Sequence, residues 1–410
     1  MNNNDRNYKK IVFVLGNYKN GGMAMRATNL ANEFAKMGYE VIILIMRQLD
    51  TQCFFEINSN IKLVSFEEYH KKRIEDDCTK EFIVRKEKRK KELKRISSFS
   101  FLLPASTKTK INNKIRLLKR GNGLRTFFLE NDESIVIPFG MYYLDEIISA
   151  TQGLKAKIVY AEKNDPRTEY GKDEYNLQYA VFLLKKVSSI IVQTHEIKEF
   201  FESFSLKNIH VINNPIRPGL PLPYSGARSK VIVSFCRTSP QKNLELLVNS
   251  FCKLHQLYPE YTLRIYGNSV DKDEEDYKTR VKMLVDDLQL TNVISLYPPC
   301  SDVHNEILDA AMFVSSSDYE GLSNSMIEAM AIGLPCICTD CSGGGTREVM
   351  TDGINGQIVP TNDVNAMFMA MKQFAEDPIF ANRCGKSASE IRNKLSIEMI
   401  TKQWINVINS

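Results

Sequence analysis

The chain has 410 residues, 43% hydrophobic and 25% charged, with a formal net charge of +5. That length supports two domains with their own cores, the apolar content excludes a disordered chain, and so mild a charge gives no general argument for nucleic acid. The polar start MNNNDRNYKK and the lack of any apolar run of spanning length, Phe99 to Ala105 included, point to a cytoplasmic protein without signal peptide or membrane span.

Ile11 to Leu15 is expected as a buried strand, Gly16 to Gly22 as a loop, Ala27 to Met37 as a helix ending at Gly38, and Val41 to Ile45 as the next strand. Ala27, Leu30, Phe34 and Met37 fall on one helical face. Gly21-Gly22 would let the backbone come close to a ligand, although the full G-x-G-x-x-G spacing is absent and a plain tight turn also explains a glycine pair. From Lys71 to Arg120 the composition turns basic, with Lys88, Arg89, Lys90 and Lys91 at its centre and few acids between. Such a run reads as a solvated helix or loop. With Phe99, Phe101, Leu102 and Leu103 beside it, it also reads as a surface drawn to anionic lipid or to a lipid-linked pyrophosphate. It lacks the interleaved aromatics of a nucleic-acid binder.

Strands are next expected at Ser134 to Phe139, Lys157 to Tyr160, Ser189 to Val192 and His210 to Ile212, with helices at Met141 to Thr151 and Asn176 to Val187. This alternation predicts a doubly wound parallel sheet. The loop AEKNDPR follows a strand end, where ligands bind in such sheets. Asp165-Pro166 also serves simply as a turn. His195 is expected to start a helix and is given no chemistry. The stretch NNPIRPGLPLPYSG, rich in proline and glycine, is the expected linker.

The second half opens with a strand at Lys230 to Phe235, a loop CRTSPQKN and a helix from Leu244. Arg237 and Lys242 on that loop would present a fork and a point charge to one diphosphate. Leu263 to Tyr266 and Val293 to Leu296 are further strands, and the acidic run Asp271 to Asp276 is expected at the surface. Met312 to Val349 reads strand, loop, helix, strand. Ser323, Asn324 and Ser325 supply cap chemistry, Ser325 and Glu328 have capping-box spacing, and Gly333 and Pro335 stop the helix. Loop amides and the helix dipole would hold an anion there, with Glu320 and Glu328 accepting from hydroxyls beside it, as a nucleotide sugar requires. A Ser-x-x-Glu pattern also caps many helices of no catalytic interest. Cys336, Cys338 and Cys341 lie partly in an apolar strand with no second ligand group nearby, so no metal is expected. The nine cysteines have no framework spacing and suit free thiols in a reducing compartment.

EGLSNSMIEAMAIGLP, followed by GGGTREV and DGINGQIVP, resembles the signature of the retaining glycosyltransferases of family 4, and CRTSPQKN matches their second motif. The resemblance implies the α/β GT-B fold, two Rossmann-like doubly wound parallel-sheet domains facing a central cleft. Residues 1–213 would be the acceptor-side domain with the basic insertion at about 71–120, 214–226 the linker, 227–390 the nucleotide-sugar domain, and 391–410 a terminal helix carrying Ile397, Ile400, Trp404 and Val407 back to the first domain. It implies transfer of a sugar, with retention and without metal or cofactor, from a nucleotide diphosphate donor to a saccharide acceptor. A UDP-sugar is favoured over a GDP-sugar, and the acceptor is expected to be lipid-linked, in bacterial surface polysaccharide or glycoconjugate synthesis. Glu320, Arg237 and Lys242 become the catalytic candidates. Gly22, Tyr297, Pro298, Gly321, Leu322, Ser323, Asn324 and Glu328 join Arg237, Lys242 and Glu320 as donor contacts, and Gly21, Glu162 and Asn164 are the acceptor or sugar contacts. Many relatives carry a histidine near the AEKNDPR loop. This chain resembles a branch without it, so no histidine role is carried over. A catalytically silent partner subunit of the same fold and a nucleotide-sugar epimerase are the alternatives, and the basic insertion is the expected contact with an anionic membrane.

Overall fold

A computed structural model of the chain describes residues 8–18, 22–47, 56–76, 123–170 and 174–410. Gly21 and nearly all of the basic insertion lie outside the described residues; of that insertion, Lys71 and Lys72 are exposed in the middle of the helix Phe66–Asp76. The chain divides into two compact units. Unit 1 holds the described residues up to Val192, Lys198–Ile212 and Thr401–Ser410, and unit 2 holds Gln193–Ile197 and Asn213–Ile400.

Unit 1 is built on β1 (Lys10–Leu15), β2 (Glu40–Ile45), β3 (Ile61–Ser65), β4 (Ser134–Pro138), β5 (Lys157–Ala161), β6 (Ser189–Val192) and β7 (Ile209–Val211). All are parallel, in the order β3-β2-β1-β4-β5-β6-β7. Strands buried on both faces need continuous apolar runs, which IVFVL in β1 and VIILI in β2 provide. The helix Gly22–Lys36 buries Ala27, Leu30 and Phe34 as expected, but Met37 lies beyond it and is 52% exposed. Gly38, at φ 89°, turns the chain away from the helix, and the Tyr39 ring meets Phe34 edge-on at 5.4 Å, taking the place expected for Met37. β3 and the helix after it were not foreseen, because IKLVS lacks the clean alternation of an edge strand.

Unit 2 contains β8 (Val231–Phe235), β9 (Thr262–Tyr266), β10 (Ile294–Tyr297), β11 (Met312–Ser315), β12 (Cys336–Thr339) and β13 (Gln357–Val359). They form a parallel sheet in the order β10-β9-β8-β11-β12-β13. Leu247, Phe251 and Leu254 from the helix Leu244–Leu257 join Met367 and Met371 over Ile232, Leu263 and Val314, all at 0% exposure. Each such side chain contributes roughly 1.5–3 kcal/mol by burial. The acidic run at 271–276 opens a helix, Lys272–Asp287, and is exposed as expected except at Glu274. Asp271 caps it by accepting from the Glu274 amide, and three acids in its first turn complement the helix dipole.

The final helix spans Ile397–Asn409. Its later part belongs to unit 1, where Lys157 donates to the Ile408 carbonyl at 3.2 Å. In each sheet the strand order reverses once, between β1 and β4 and between β8 and β11. At such a reversal the loops leaving the carboxyl ends diverge and open a crevice. Among the described residues no helix is long and apolar enough to cross a membrane.

Candidate functional site

In unit 2 the loops after β8 and β11 leave the sheet side by side. Asn243, in a left-handed conformation (φ 43°), ends the first loop and caps the next helix by accepting from the Leu246 amide at 3.2 Å. Its amide nitrogen donates to Asp318 Oδ1 at 2.8 Å. The Asp318 amide donates to the Gln241 carbonyl (2.9 Å), Gln241 Nε2 to the Tyr319 carbonyl (2.7 Å), and Ser316 Oγ to the Lys242 carbonyl (2.8 Å). Where these loops are joined, the Lys242 ammonium donates to Glu320 Oε1, which also accepts from Ser317 Oγ at 3.1 Å. The two side chains are only 13% and 14% exposed. Burial acts to lower the pKa of Lys242, but the Glu320 carboxylate and the Cys236 sulfur outweigh it and hold the ammonium above its ordinary value. The ammonium therefore stays charged, and it sets a fixed cation at the switch point.

Arg237 is half-exposed and donates to Glu274 Oε1 at 2.6 Å, while Glu274 Oε2 accepts from the Val270 amide at 2.8 Å. An acid read as surface is thus the buried partner of a candidate ligand. The structure brings Lys242 together with Glu320 and sends Arg237 to a separate acid.

The helix after β11 runs from Asn324 to Ala331 and is capped by Ser323, whose Oγ accepts from the Met326 amide at 3.5 Å. The expected Ser325–Glu328 capping box is absent. Ser323 already has the extended backbone a cap needs, and Glu328 turns to His304 instead, Oε2 to Nε2 at 2.9 Å with both side chains buried. His304 was not foreseen, since nothing local marks one histidine as the partner of an acid on a different helix. The loop amides are not equivalent either. Leu322 N–H donates to Gln193 Oε1 at 2.7 Å and Glu320 N–H to the Ser342 carbonyl at 3.0 Å. Among the described residues, the N–H groups of Gly321, Ser323, Asn324 and Ser325 donate to no protein atom. Those four are the amides open to an anion.

Two glycines let these loops approach. A Cβ on Gly345 would lie 1.8 Å from the Gly321 carbonyl oxygen, and one on Gly267 would lie 1.9 Å from that of Cys236. Tyr297, beside Pro298 at the end of β10, stacks on Tyr266 with centroids 5.0 Å apart and keeps 40% exposure. Cys336, Cys338 and Cys341 are buried free thiols, and among the described residues no three metal-type ligands gather.

Gly22, Glu162 and Asn164 belong to unit 1. There the carboxyl ends of β1, β4 and β5 border a cavity of about 630 Å³ that includes Gly16, Phe139, Tyr143, Glu162 and Glu169 in its lining. Glu162 is 1% exposed, and both its oxygens are taken. Oε2 accepts from Tyr160 Oη at 2.9 Å and from Tyr170 Oη, and Oε1 accepts from the amides of Lys163 (2.7 Å) and Asn164 (3.3 Å). Glu162 therefore fixes the loop from within the cavity lining, with its oxygens already engaged. Burial pushes its carboxyl up, against the pull of those donors.

The accessible carboxylate is Glu169, which the sequence did not single out. Asp165 caps its short helix Pro166–Glu169, accepting from the Arg167 amide at 3.0 Å and Arg167 Nε at 2.9 Å. Glu169 is reached by water through the cavity yet ringed by protein. That partial desolvation and then the Glu162 carboxylate push it up to about 7, with Asp165 adding to the rise and the Asn164 amide opposing it. A raised acid binds its proton more tightly in the folded chain, so stability falls as pH rises from the ordinary carboxylate value through about 7. Glu169→Gln is expected to flatten that slope in thermal midpoints recorded from pH 5 to pH 8.

Arg237, Lys242, Glu274, His304, Glu320 and Glu328 all lie in one stretch of sequence. Residues 225–391 match the family Glycosyl transferases group 1. Over 258 residues the chain is 24% identical to the poly(ribitol-phosphate) alpha-N-acetylglucosaminyltransferase of Staphylococcus aureus, covering 62% of this chain and 51% of that protein. Over 272 residues it is 25% identical to the poly(glycerol-phosphate) alpha-glucosyltransferase of Bacillus subtilis, with coverage of 62% and 39%. The chain spans about half the length, or less, of these and similar curated relatives. Its fold is similar to that of a TarM mutant from S. aureus, crystallised with fondaparinux, alpha-GlcNAc-glycerol and UDP, at a TM-score of 0.76 and 17% identity over 98% of this chain and 100% of that one. That likeness establishes the fold expected from the resemblance, two parallel-sheet Rossmann-like units of the GT-B kind. The group 1 region contains β8 to β13 and so both loops that meet at the β8/β11 reversal.

Proposed function

We propose that the chain is a glycosyltransferase that takes a UDP-sugar on unit 2 and passes the sugar to a saccharide acceptor held by unit 1. The observation that carries this reading is the Lys242–Glu320 pair beside four open amides, at the strand-order reversal of a group 1 region. A diphosphate needs fixed cations and N–H donors. A hydroxyl-rich sugar and ribose need carboxylates as acceptors, and Glu320 and Glu328 are placed on the same loop and helix. UDP in the TarM crystal structure supports uridine as the base. Tyr297 and Pro298 are proposed to flank it, and Gly22 to face the donor phosphates.

As the bond to the sugar breaks, negative charge grows on the leaving UDP. Lys242, Arg237 and the amides of Gly321, Ser323 and Asn324 stabilise that charge more in the transition state than before it. Arg237 gives Nη1 to Glu274 and has further N–H donors with which to take part, and Leu322 contributes packing rather than its amide. With protein cations and amides in this role, no divalent ion is needed, and turnover is expected to persist in EDTA. Retention of configuration follows the resemblance to family 4, and no covalent nucleophile is assigned. The relatives' polymer substrates support a role in bacterial surface polysaccharide or glycoconjugate synthesis. A lipid-linked acceptor, with the enzyme on the cytoplasmic membrane face through the basic insertion, is the form proposed.

The test is release of nucleoside diphosphate from UDP- and GDP-sugars, with and without lipid-linked saccharide acceptors, with mass analysis of the products. Acceptor-dependent UDP release is expected. UDP binding without turnover would instead indicate a silent subunit, and an altered UDP-sugar formed without acceptor would indicate an epimerase. Glu328→Gln keeps a hydrogen bond to His304 while losing the charge offered to the ribose. Its Kd for UDP, measured by calorimetry, is expected to rise about tenfold, or ~1.4 kcal/mol.

A further inference from the structure

The cavity of unit 1 combines two kinds of wall. One is aromatic: Tyr142 and Tyr143 stand 4.7 Å apart at 69°, and Phe139 and Tyr179 continue the surface. The other is acidic, with Asp145, Glu162 and Glu169 in the lining. These three acids differ in what they can offer. Glu162 is saturated by its four donors. Asp145 is 6% exposed and already accepts from the Glu146 amide at 2.9 Å and from Tyr179 Oη at 3.4 Å. Glu169 accepts from Asn164 Nδ2 at 3.2 Å through Oε1, and among the described residues its second oxygen takes no hydrogen bond from the protein.

The cations of the lining are placed poorly for an anion. The Lys163 amino group lies over the Phe139 ring at 4.3 Å and the Trp404 ring at 5.8 Å, and burial, then Arg26, hold it well below the ordinary lysine range despite Glu162. Arg47 is exposed, lies 4.4 Å over the Tyr142 ring and donates to that phenol. Among the described residues, a phosphate entering this cavity would meet one exposed guanidinium and three carboxyl groups. Like charges at close range inside protein are costly, whereas a carboxyl group with an open oxygen, ionised above about pH 7 at Glu169, is a strong acceptor for a hydroxyl. Aromatic faces suit the apolar C–H faces of a pyranose, and the cavity volume falls within the roughly 300–1,000 Å³ of small-ligand sites.

Resting on the reading above that unit 1 holds the acceptor, we propose that Glu169 is a specificity-determining residue, which admits an uncharged pyranose through a hydroxyl on its open oxygen and turns away acceptors whose accepting unit would bring a phosphate into this cavity. Discrimination then combines an attractive contact with a built-in repulsion. It sets this chain apart from the two polyol-phosphate glycosyltransferases to which it is similar.

The experiment uses the full chain with a UDP-sugar donor and two sets of probes. One set is neutral octyl glycosides of glucose, galactose, N-acetylglucosamine and N-acetylgalactosamine. The other is octyl glucoside 6-phosphate with glycerol-phosphate and ribitol-phosphate oligomers. Saturation-transfer NMR reports contact, and product formation reports transfer. Contact with at least one neutral glycoside and with none of the phosphorylated probes is expected. Glu169→Gln is expected to raise KM for the preferred glycoside about tenfold and to narrow the preference for neutral over phosphorylated probes, and Glu169→Asp is expected to restore part of both. Equal or better contact with phosphorylated probes, contact with neither set, or an unmoved preference in Glu169→Gln would each overturn the proposal. Failure of the broader functional reading is separable, because it would show as no UDP binding and no release of UDP from any donor.

Discussion

Lys242→Met is expected to lower kcat/KM for the UDP-sugar by about 10²–10³-fold, the usual cost of removing one preorganised group that meets developing charge. The same change strands Glu320, whose carboxylate loses its cation while still only 14% exposed. An abandoned buried charge costs about 3 kcal/mol, at the low end for breaking such a pair. The single variant therefore loses stability as well as turnover, and turnover alone would not say which loss came first. The double variant Lys242→Met/Glu320→Gln separates them. Both sites are then neutral and close in volume to the originals, so most of the stability is expected to return while turnover stays low. Thermal unfolding with and without UDP, beside UDP release, measures both quantities. A single variant that keeps wild-type turnover would remove Lys242 from the proposed mechanism.

Gly345→Ala is the second large effect expected. The added Cβ would lie 1.8 Å from the Gly321 carbonyl oxygen, 2.8 Å from its carbon and 3.0 Å from Leu322 Cα. All three are backbone atoms, so no side chain can swing aside and the loop itself must move by about an ångström. That loop carries the open Gly321 and Ser323 amides and leads from Glu320 into the capped helix. A displacement of that size costs on the order of 10²-fold when it misplaces reacting groups. The overpacking itself costs roughly 1–3 kcal/mol. Calorimetric Kd values for UDP and kcat/KM should worsen together, with a lower unfolding midpoint. Unchanged UDP binding in a folded Gly345→Ala chain would mean that the 321–324 loop does not hold the donor.

Much of this molecule can be read locally. Apolar runs such as IVFVL and MFVS have one comfortable place, inside a parallel sheet, and they lie there in β1 and β11. Gly345, within GGGTREV, stands where backbone meets backbone. What sequence pattern misplaced has a common cause. The Ser325–Glu328 spacing suited a capping box, but a cap is set by which residue has the extended backbone, and Ser323 has it. Glu274 sat in an acidic run that looked solvent-facing. Its helix turns it inward, onto an arginine 37 positions away in sequence.

The sequence by itself determined the alternating α/β architecture and the chemical types gathered on the loops after β8 and β11, because strands, caps and turns depend on residues a few positions apart. Only the tertiary structure decided which charges meet: Lys242 with Glu320, Arg237 with Glu274, His304 with Glu328, and Glu169 left, among the described residues, with an open oxygen where Glu162 is saturated. The physical reason is that each pairing depends on which loops leave neighbouring strand ends and which helix faces they meet. Strand order fixes those neighbours, and strand order is set by the packing of whole elements rather than by any short run of residues.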